Sequence, residues 1–215
     1  MKTCFLHSNA DSKELILFFA GFASEPSHFA HLSSSKNVLM LYEYTNFDID
    51  FDINAFDSVT LIAFSMGVSI AAILAKDIKS KIDYKIAING TNYGIHKRYG
   101  IHPLMFSKTI ENLNVLEFKK MLFGNHFEYM QGHYFRSKQL LKEELQSLYT
   151  FVAGNNMGSI DFSYDKVLLS ESDLVFPYSH SKKFFEQFFP NAFIISKDAP
   201  HFIFLDIDSW DELCI

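Results

Sequence analysis

The stretch Ala63-Phe64-Ser65-Met66-Gly67 concentrates the residue types that could do covalent chemistry. A strand-forming run, 58–64, leads into it, and the helix-forming Ile70-Ala71-Ala72-Ile73-Leu74-Ala75 leads out. Strand, sharp turn and helix with a serine at the turn are the context of a nucleophile elbow. Such a turn needs small residues two before and two after the serine, because strand and helix pack closely around it. Ala63 and Gly67 meet that need, although Ala63 stands where glycine is commoner. The turn lifts the Ser65 hydroxyl above the sheet and points the Met66 N–H toward a developing oxyanion. The plainer alternative is a serine that only caps the following helix.

A hydroxyl is a weak nucleophile near neutral pH and needs a base, and the base needs an orienting acid. Both follow in the order that an elbow serine requires, acid first and histidine second. Asp173 lies just past the apolar run 166–170, and His201 lies just past the run 192–196. Residues at the C-terminal ends of parallel strands form the edge where open α/β sheets build their sites. Of nine histidines only His201 has this placement. Glu171 and Asp198 rival Asp173, but Asp198 sits three residues before His201 and suits a turn-shaping role. A second oxyanion donor is expected from the loop after an earlier strand. In Phe19-Ala20-Gly21-Phe22-Ala23, Gly21 allows close backbone approach and the Phe22 N–H is the candidate.

These residues need a frame, and the rest of the chain supplies one. Apolar runs at 14–20, 37–42, 58–64, 84–89, 166–170 and 192–196 alternate with helix-like segments at 66–78 and 179–189. Runs that are apolar throughout indicate strands covered on both faces of a parallel sheet. The segment 91–157 breaks the rhythm. It reads as helical pieces, at 107–116 and 137–151, with no strong strand signal. It carries eight basic and five acidic residues, a charge of +3, against −9 for the remainder. Four of the seven methionines, Met105, Met121, Met130 and Met157, fall in it, as do the only arginines, Arg98 and Arg136.

Composition excludes several classes. The chain has 215 residues, 48% of them hydrophobic, with 24 Phe and a net charge of −6, so it can bury a sizeable core. No basic run interleaves with aromatics, which leaves a nucleic-acid binder without its electrostatic footprint. Cys4 and Cys214 are too far apart in sequence to read as a zinc site or a disulfide framework. The histidines of 91–157 show no metal-ligand spacing. A reducing, cytoplasmic setting is the expectation. Ser58 to Ala75 is an uncharged stretch of 18 residues, but its β-branched start, its central Ser65, Gly67 and Ser69 and its helix-forming end read as strand, turn and helix rather than a membrane span.

With these residues in place, the chain resembles the α/β-hydrolases, and more narrowly the BioG-type pimeloyl-[acyl-carrier protein] methyl ester esterases of biotin synthesis. The resemblance covers nearly the whole chain and rests on Phe18-Phe19-Ala20-Gly21-Phe22, Phe64-Ser65-Met66-Gly67 and, most of all, Ile88-Asn89-Gly90-Thr91 leading to Tyr99-Gly100-Ile101-His102-Pro103. Ala20-Gly21 departs from the His-Gly of most relatives but keeps the glycine. The resemblance implies an α/β-hydrolase fold, a mostly parallel sheet covered by helices on both faces. Its core would be 1–90 and 158–215, with a helical lid at 91–157. It also implies hydrolysis of a methyl ester on a carrier-bound dicarboxylate chain, without cofactor or metal. The residues alone stop at a serine hydrolase with Ser65, Asp173 and His201 as catalytic residues and Phe22 and Met66 as oxyanion donors. An acyl thioesterase, a general carboxylesterase and a hydrolase scaffold that only binds a ligand remain alternatives. The basic face of the lid is expected to dock an acidic acyl-carrier protein, with Arg98 and Arg136 as paired contacts. Met105, Met121, Phe123 and Phe127 are expected along the path of the acyl chain.

Overall fold

The computed structural model describes residues 1–48, 51–155 and 160–214. Met157 and the expected boundary at 157–158 lie outside them, and the expectation for the Phe127 side chain lies outside what is described. Seven strands form one sheet: β1 (Lys2–His7), β2 (Glu14–Phe19), β3 (Asn37–Tyr42), β4 (Ser58–Phe64), β5 (Tyr84–Ile88), β6 (Lys166–Ser170) and β7 (Phe193–Lys197). Their order is β1-β3-β2-β4-β5-β6-β7. Only β1 runs antiparallel, against β3, and every other pairing is parallel. This is the mostly parallel sheet of an α/β-hydrolase.

Buried strands explain the unbroken apolar runs. In β2, Leu15, Leu17 and Phe19 face one layer while Ile16 and Phe18 face the other, and all five are buried. The first layer holds α1 (Met66–Leu74) and α6 (Tyr178–Phe188), together with part of the long inserted helix described below. The second layer is covered by shorter helical pieces. A 3₁₀ turn at Pro26–Phe29, another at Ile203–Asp206 and the short α7 (Trp210–Leu213) bring Phe29, Phe204 and Trp210 onto Phe18. Ring centroids there lie 4.7 to 6.0 Å apart, within the range of favourable aromatic pairing.

Two details of the core differ from the sequence reading. β1 was not expected, because an edge strand with three mostly exposed positions carries little apolar signal. The helix after Ser65 is α-helical only to Leu74 and continues as a 3₁₀ turn at Ala75–Lys81.

Between β5 and β6 the chain leaves the sheet and forms α2 (Pro103–Asn112), α3 (Val115–Phe123), α4 (Phe127–Gly132) and α5 (Lys138–Asn155). The expected helix 107–116 is therefore two helices. The first ends at Asn112, and Asn114 caps the second, accepting hydrogen bonds from the Leu116 and Glu117 N–H groups. Along α5, Leu141, Leu145, Leu148 and Val152 form an apolar stripe that packs on the first layer.

Candidate active site

Ser65 sits between β4 and α1 with φ 57° and ψ −127°, a conformation strained for any residue with a side chain. Its surroundings hold it there. The Ser65 N–H donates to the Ile88 carbonyl at 2.8 Å, tying the turn to the end of β5. A Cβ on Gly67 would lie 2.2 Å from the Phe19 carbonyl oxygen, and one on Gly90 would lie 2.2 Å from the Ser65 carbonyl oxygen. No side chain fits at either position. The start of α1 thus closes on the end of β2, and the end of β5 closes on the turn itself.

His201 is fully buried and bridges the other two groups. Its Nε2 lies 2.9 Å from Ser65 Oγ, and its Nδ1 lies 2.7 Å from Asp173 Oδ2. An ionised carboxylate only accepts hydrogen bonds, so Nδ1–H donates to Asp173 and Nε2 is left to accept the Ser65 hydroxyl proton. Asp173 is itself oriented: its Oδ1 accepts from the Val175 and Phe176 N–H groups at 2.7 and 2.8 Å. The Phe176 ring stacks parallel to His201, and the Phe64 ring covers it at 4.9 Å.

The residues singled out from sequence divide into three groups. Ser65, Asp173 and His201 come together in one hydrogen-bonded chain. Glu171 is exposed, and Asp198 instead accepts a hydrogen bond from Ser172 at 3.2 Å. Phe22 and Met66 flank Ser65 in the wall of one cavity. Met66 is the first residue of α1, so its N–H has no acceptor within the helix. The loop carrying Phe22 passes so close that a Cβ on Gly21 would lie 2.8 Å from Ser65 Cβ. The Phe22 ring packs on Phe118 of α3 at 5.1 Å.

Two expectations about the inserted segment need correction. Arg136 does not face a partner. It is 9% exposed, and its guanidinium is enclosed by Glu25, Glu43 and Glu144. Buried among three carboxylates, the guanidinium is closed to an incoming molecule. Phe123 does not line the cavity either, since it is buried against Phe202 and His133. Arg98, by contrast, is exposed and lies over the Tyr99 ring, two residues before Gly100 and three before Ile101, which line the cavity.

The cavity measures about 520 Å³ and joins core to insertion. Ser65 and Phe22 line it from the core, and Met105, Phe106, Phe118 and Leu145 line it from the inserted helices. Its wall is mainly apolar, with Lys108, Asn112 and Glu117 toward the insertion. Among the described residues no group of three or more His, Cys, Asp or Glu could hold a metal ion, and no helix is long and apolar enough to cross a membrane.

Sequence reading passed over one residue of this site as a functional group. Asn89, just past β5 at φ 47°, is buried, donates to the His201 carbonyl oxygen and to Ser170 Oγ, both at 2.7 Å, and accepts from the Ser170 N–H at 2.7 Å. Its amide ties the ends of β5 and β6 to the histidine loop. The signal was present in Ile88-Asn89-Gly90, where a polar residue interrupts a buried strand end.

The profile of the family described as "Pimeloyl-ACP methyl esterase BioG" matches residues 1–213. The chain belongs to the BioG family. Its structure superposes on the crystal structure of BioG from Haemophilus influenzae with a TM-score of 0.89, at 25% identity and 99% coverage of both chains. A lipase-esterase related protein from Clostridium acetobutylicum has the same fold, with a TM-score of 0.68, 15% identity and coverage of 95% and 94%. The sequence is also 28% identical over 187 residues to a malonyl-[acyl-carrier protein] O-methyltransferase of Bacteroides fragilis. That match covers 82% of this chain and only 37% of the Bacteroides protein. Family and fold together make the chain a member of an esterase family on an α/β-hydrolase scaffold.

Proposed function

We propose that this chain is a serine esterase that hydrolyses the methyl ester of pimeloyl-[acyl-carrier protein], releasing methanol and leaving the free carboxylate on the carrier. The observation that carries the reading is the Asp173–His201–Ser65 hydrogen-bond chain opening on an apolar cavity, in a chain of the BioG family. Ser65 attacks the ester carbonyl while His201 Nε2 takes its proton. Asp173 holds the imidazole in the tautomer that leaves Nε2 free and stabilises the imidazolium. The Met66 and Phe22 N–H groups receive the negative charge of the tetrahedral intermediate. His201 then gives its proton to the departing methanol, and a water molecule repeats the sequence to release the acid.

The inserted segment serves as the lid, and its apolar cavity takes the methylene chain between ester and carrier. Around the mouth Leu104, Met105 and Leu174 are each more than half exposed, and Lys97 and Arg98 add exposed positive charge. An acidic carrier protein fits this surface by opposite charge, with an apolar strip to receive the emerging chain. Both cysteines are free thiols, which suits a reducing, cytoplasmic setting.

Purified protein tested on the methyl ester of pimeloyl-carrier, on its thioester linkage and on short p-nitrophenyl esters decides the reading. Methanol release from the carrier-bound ester is expected, and Ser65→Ala should abolish it, a loss on the order of 10⁴-fold or more, while the variant stays folded. Preferential cleavage of the thioester would make the protein a thioesterase. Unchanged turnover in Ser65→Ala would overturn the catalytic assignment.

A further inference from the structure

Three backbone and ionic features meet where the lid touches the loop after β2. Ala23, next to the oxyanion candidate Phe22, is a non-glycine residue in the left-handed region at φ 61°. That conformation is strained for a residue with a side chain and persists only where neighbours hold it. The neighbour is Glu144, fully buried in the middle of α5. Its Oε2 accepts the Ala23 N–H at 3.3 Å, and its Oε1 accepts the Tyr44 N–H, just past β3, at 3.2 Å. Glu43, beside Tyr44, is also left-handed, at φ 53°. One lid carboxylate therefore satisfies two core N–H groups at strained turns.

Arg136 fixes that carboxylate in turn. Its Nη2 donates to Glu144 Oε2 at 2.7 Å, its Nε donates to Glu25 Oε1 at 2.5 Å, and its Nη1 lies 3.2 Å from Glu43 Oε2. Burying Arg136 and Glu144, with Glu25 and Glu43 half-buried beside them, is an expensive way to gain stability, since a well-packed apolar cluster would do as well or better. What the arrangement provides is direction. The next residue on α5, Leu145, lines the catalytic cavity, and Phe118 of α3 packs on Phe22. The lid thus holds the loop Gly21–Ala23 at two successive residues.

We infer that Glu144 is a positioning residue: through its carboxylate the lid fixes the backbone at Ala23, and so aims the Phe22 N–H at the oxyanion formed on Ser65. The inference rests on the esterase reading above. It makes the lid part of the catalytic machinery, so that even a small ester, which needs no carrier docking, depends on a lid residue that touches no substrate.

The test uses the full chain and p-nitrophenyl butyrate. Glu144→Gln keeps the shape but presents one acceptor where two are needed, and it faces Arg136 with a neutral amide. The expected result is a fall in kcat of roughly tenfold to a hundredfold, with KM changed less than about threefold. Affinity for a trifluoromethyl ketone, which forms a tetrahedral adduct and occupies the oxyanion site, should fall by the same factor as kcat/KM. A merely structural role would lower the melting temperature and leave that affinity unchanged. The variant Glu144→Leu, which leaves Arg136 paired with Glu25 and Glu43, should show the same kcat loss and decides the matter if Glu144→Gln fails to fold. Glu143→Gln, on the exposed side of α5, should be indistinguishable from the parent. If the parent hydrolyses esters and both Glu144 variants keep its kcat and its ketone affinity, the inference is wrong. If the parent neither hydrolyses esters nor reacts with a fluorophosphonate, it is the esterase reading that has failed.

Discussion

Around Ser65 the central strands β2 and β4 are buried almost end to end, whereas the lid leaves Leu104, Met105 and Leu116 each more than half exposed. The core has one arrangement, set by parallel pairing and by glycines with no room for a side chain. Its reacting groups are held by backbone geometry that the sheet enforces. The lid has soft, exposed apolar groups and surface lysines, the composition of a surface that meets other molecules. On the function proposed above, rigid chemistry and adaptable recognition are drawn from different parts of the chain. The two meet along a seam where charge is buried rather than exposed.

If the core carries the chemistry, the largest effects belong there. Asp173→Asn keeps the hydrogen-bonding shape but favours the wrong His201 tautomer, and kcat on any ester should fall by roughly 10⁴-fold with the melting temperature little changed. A loss of less than about tenfold would mean that another acid orients His201.

The seam sharpens the comparison through pH. His28, in the 3₁₀ turn of the core, is buried and bonds the Tyr134 carbonyl of the lid at 2.6 Å. Burial lowers its pKa from 6.5 to about 4, with His133, Lys119 and Arg136 acting in the same direction. Its contribution to stability is present above pH 6.5 and is lost as the pH falls toward 4, because the unfolded chain takes the proton more readily. Glu144 behaves oppositely. Burial raises its carboxyl to about 7, against the pull of Arg136 and the Tyr44 and Ala23 N–H groups. The charges of Glu25, Glu43 and the Met1 amine also lie around this cluster. Its contribution is present at low pH and is lost as the pH rises from 4.5 to about 7. Between pH 4.5 and 6.5 the two oppose each other. Denaturant unfolding of His28→Gln should show stability falling as pH rises through this window, and Glu144→Gln should show it rising. The pH-dependent difference between the variants should be on the order of 4 kcal/mol, about 2 kcal/mol from each group. Parallel profiles would remove the seam from the account.

The smallest effect concerns recognition. Lys97→Glu with Arg98→Glu should raise KM for carrier-bound ester about tenfold at low salt, and less at high salt. Hydrolysis of p-nitrophenyl butyrate should change less than about twofold. Equal changes for both substrates would mean that this edge is not a docking surface.

Much of this was legible in the sequence, and unevenly so. Six apolar runs marked six strands; burial explains those within the sheet, because a strand covered on both faces cannot alternate, whereas the edge strand β7 has no buried residue. β1 escaped because an edge strand buries little. The elbow, the acid and the histidine were legible because each lies immediately past a strand, where chain order alone sets spatial position. The lid was harder. Its excess charge was visible, but net charge does not say which side of a helix a residue faces, so Arg136 was read as a docking residue when it is buried. A sign of the burial was available in Leu141, Glu144, Leu145, Leu148 and Val152, where a glutamate sits within an apolar helical stripe. What no pattern revealed is that Glu144 closes on the loop after β2, a contact between residues 121 positions apart.

The central claim is that Ser65 is a nucleophile activated by His201. Reaction of the intact protein with a fluorophosphonate, followed by peptide mapping, tests it most directly. The account predicts a single adduct on Ser65, formed at a rate that falls by several orders of magnitude in His201→Ala. An adduct on another residue, or ester hydrolysis that persists while Ser65 stays unlabelled, would contradict it.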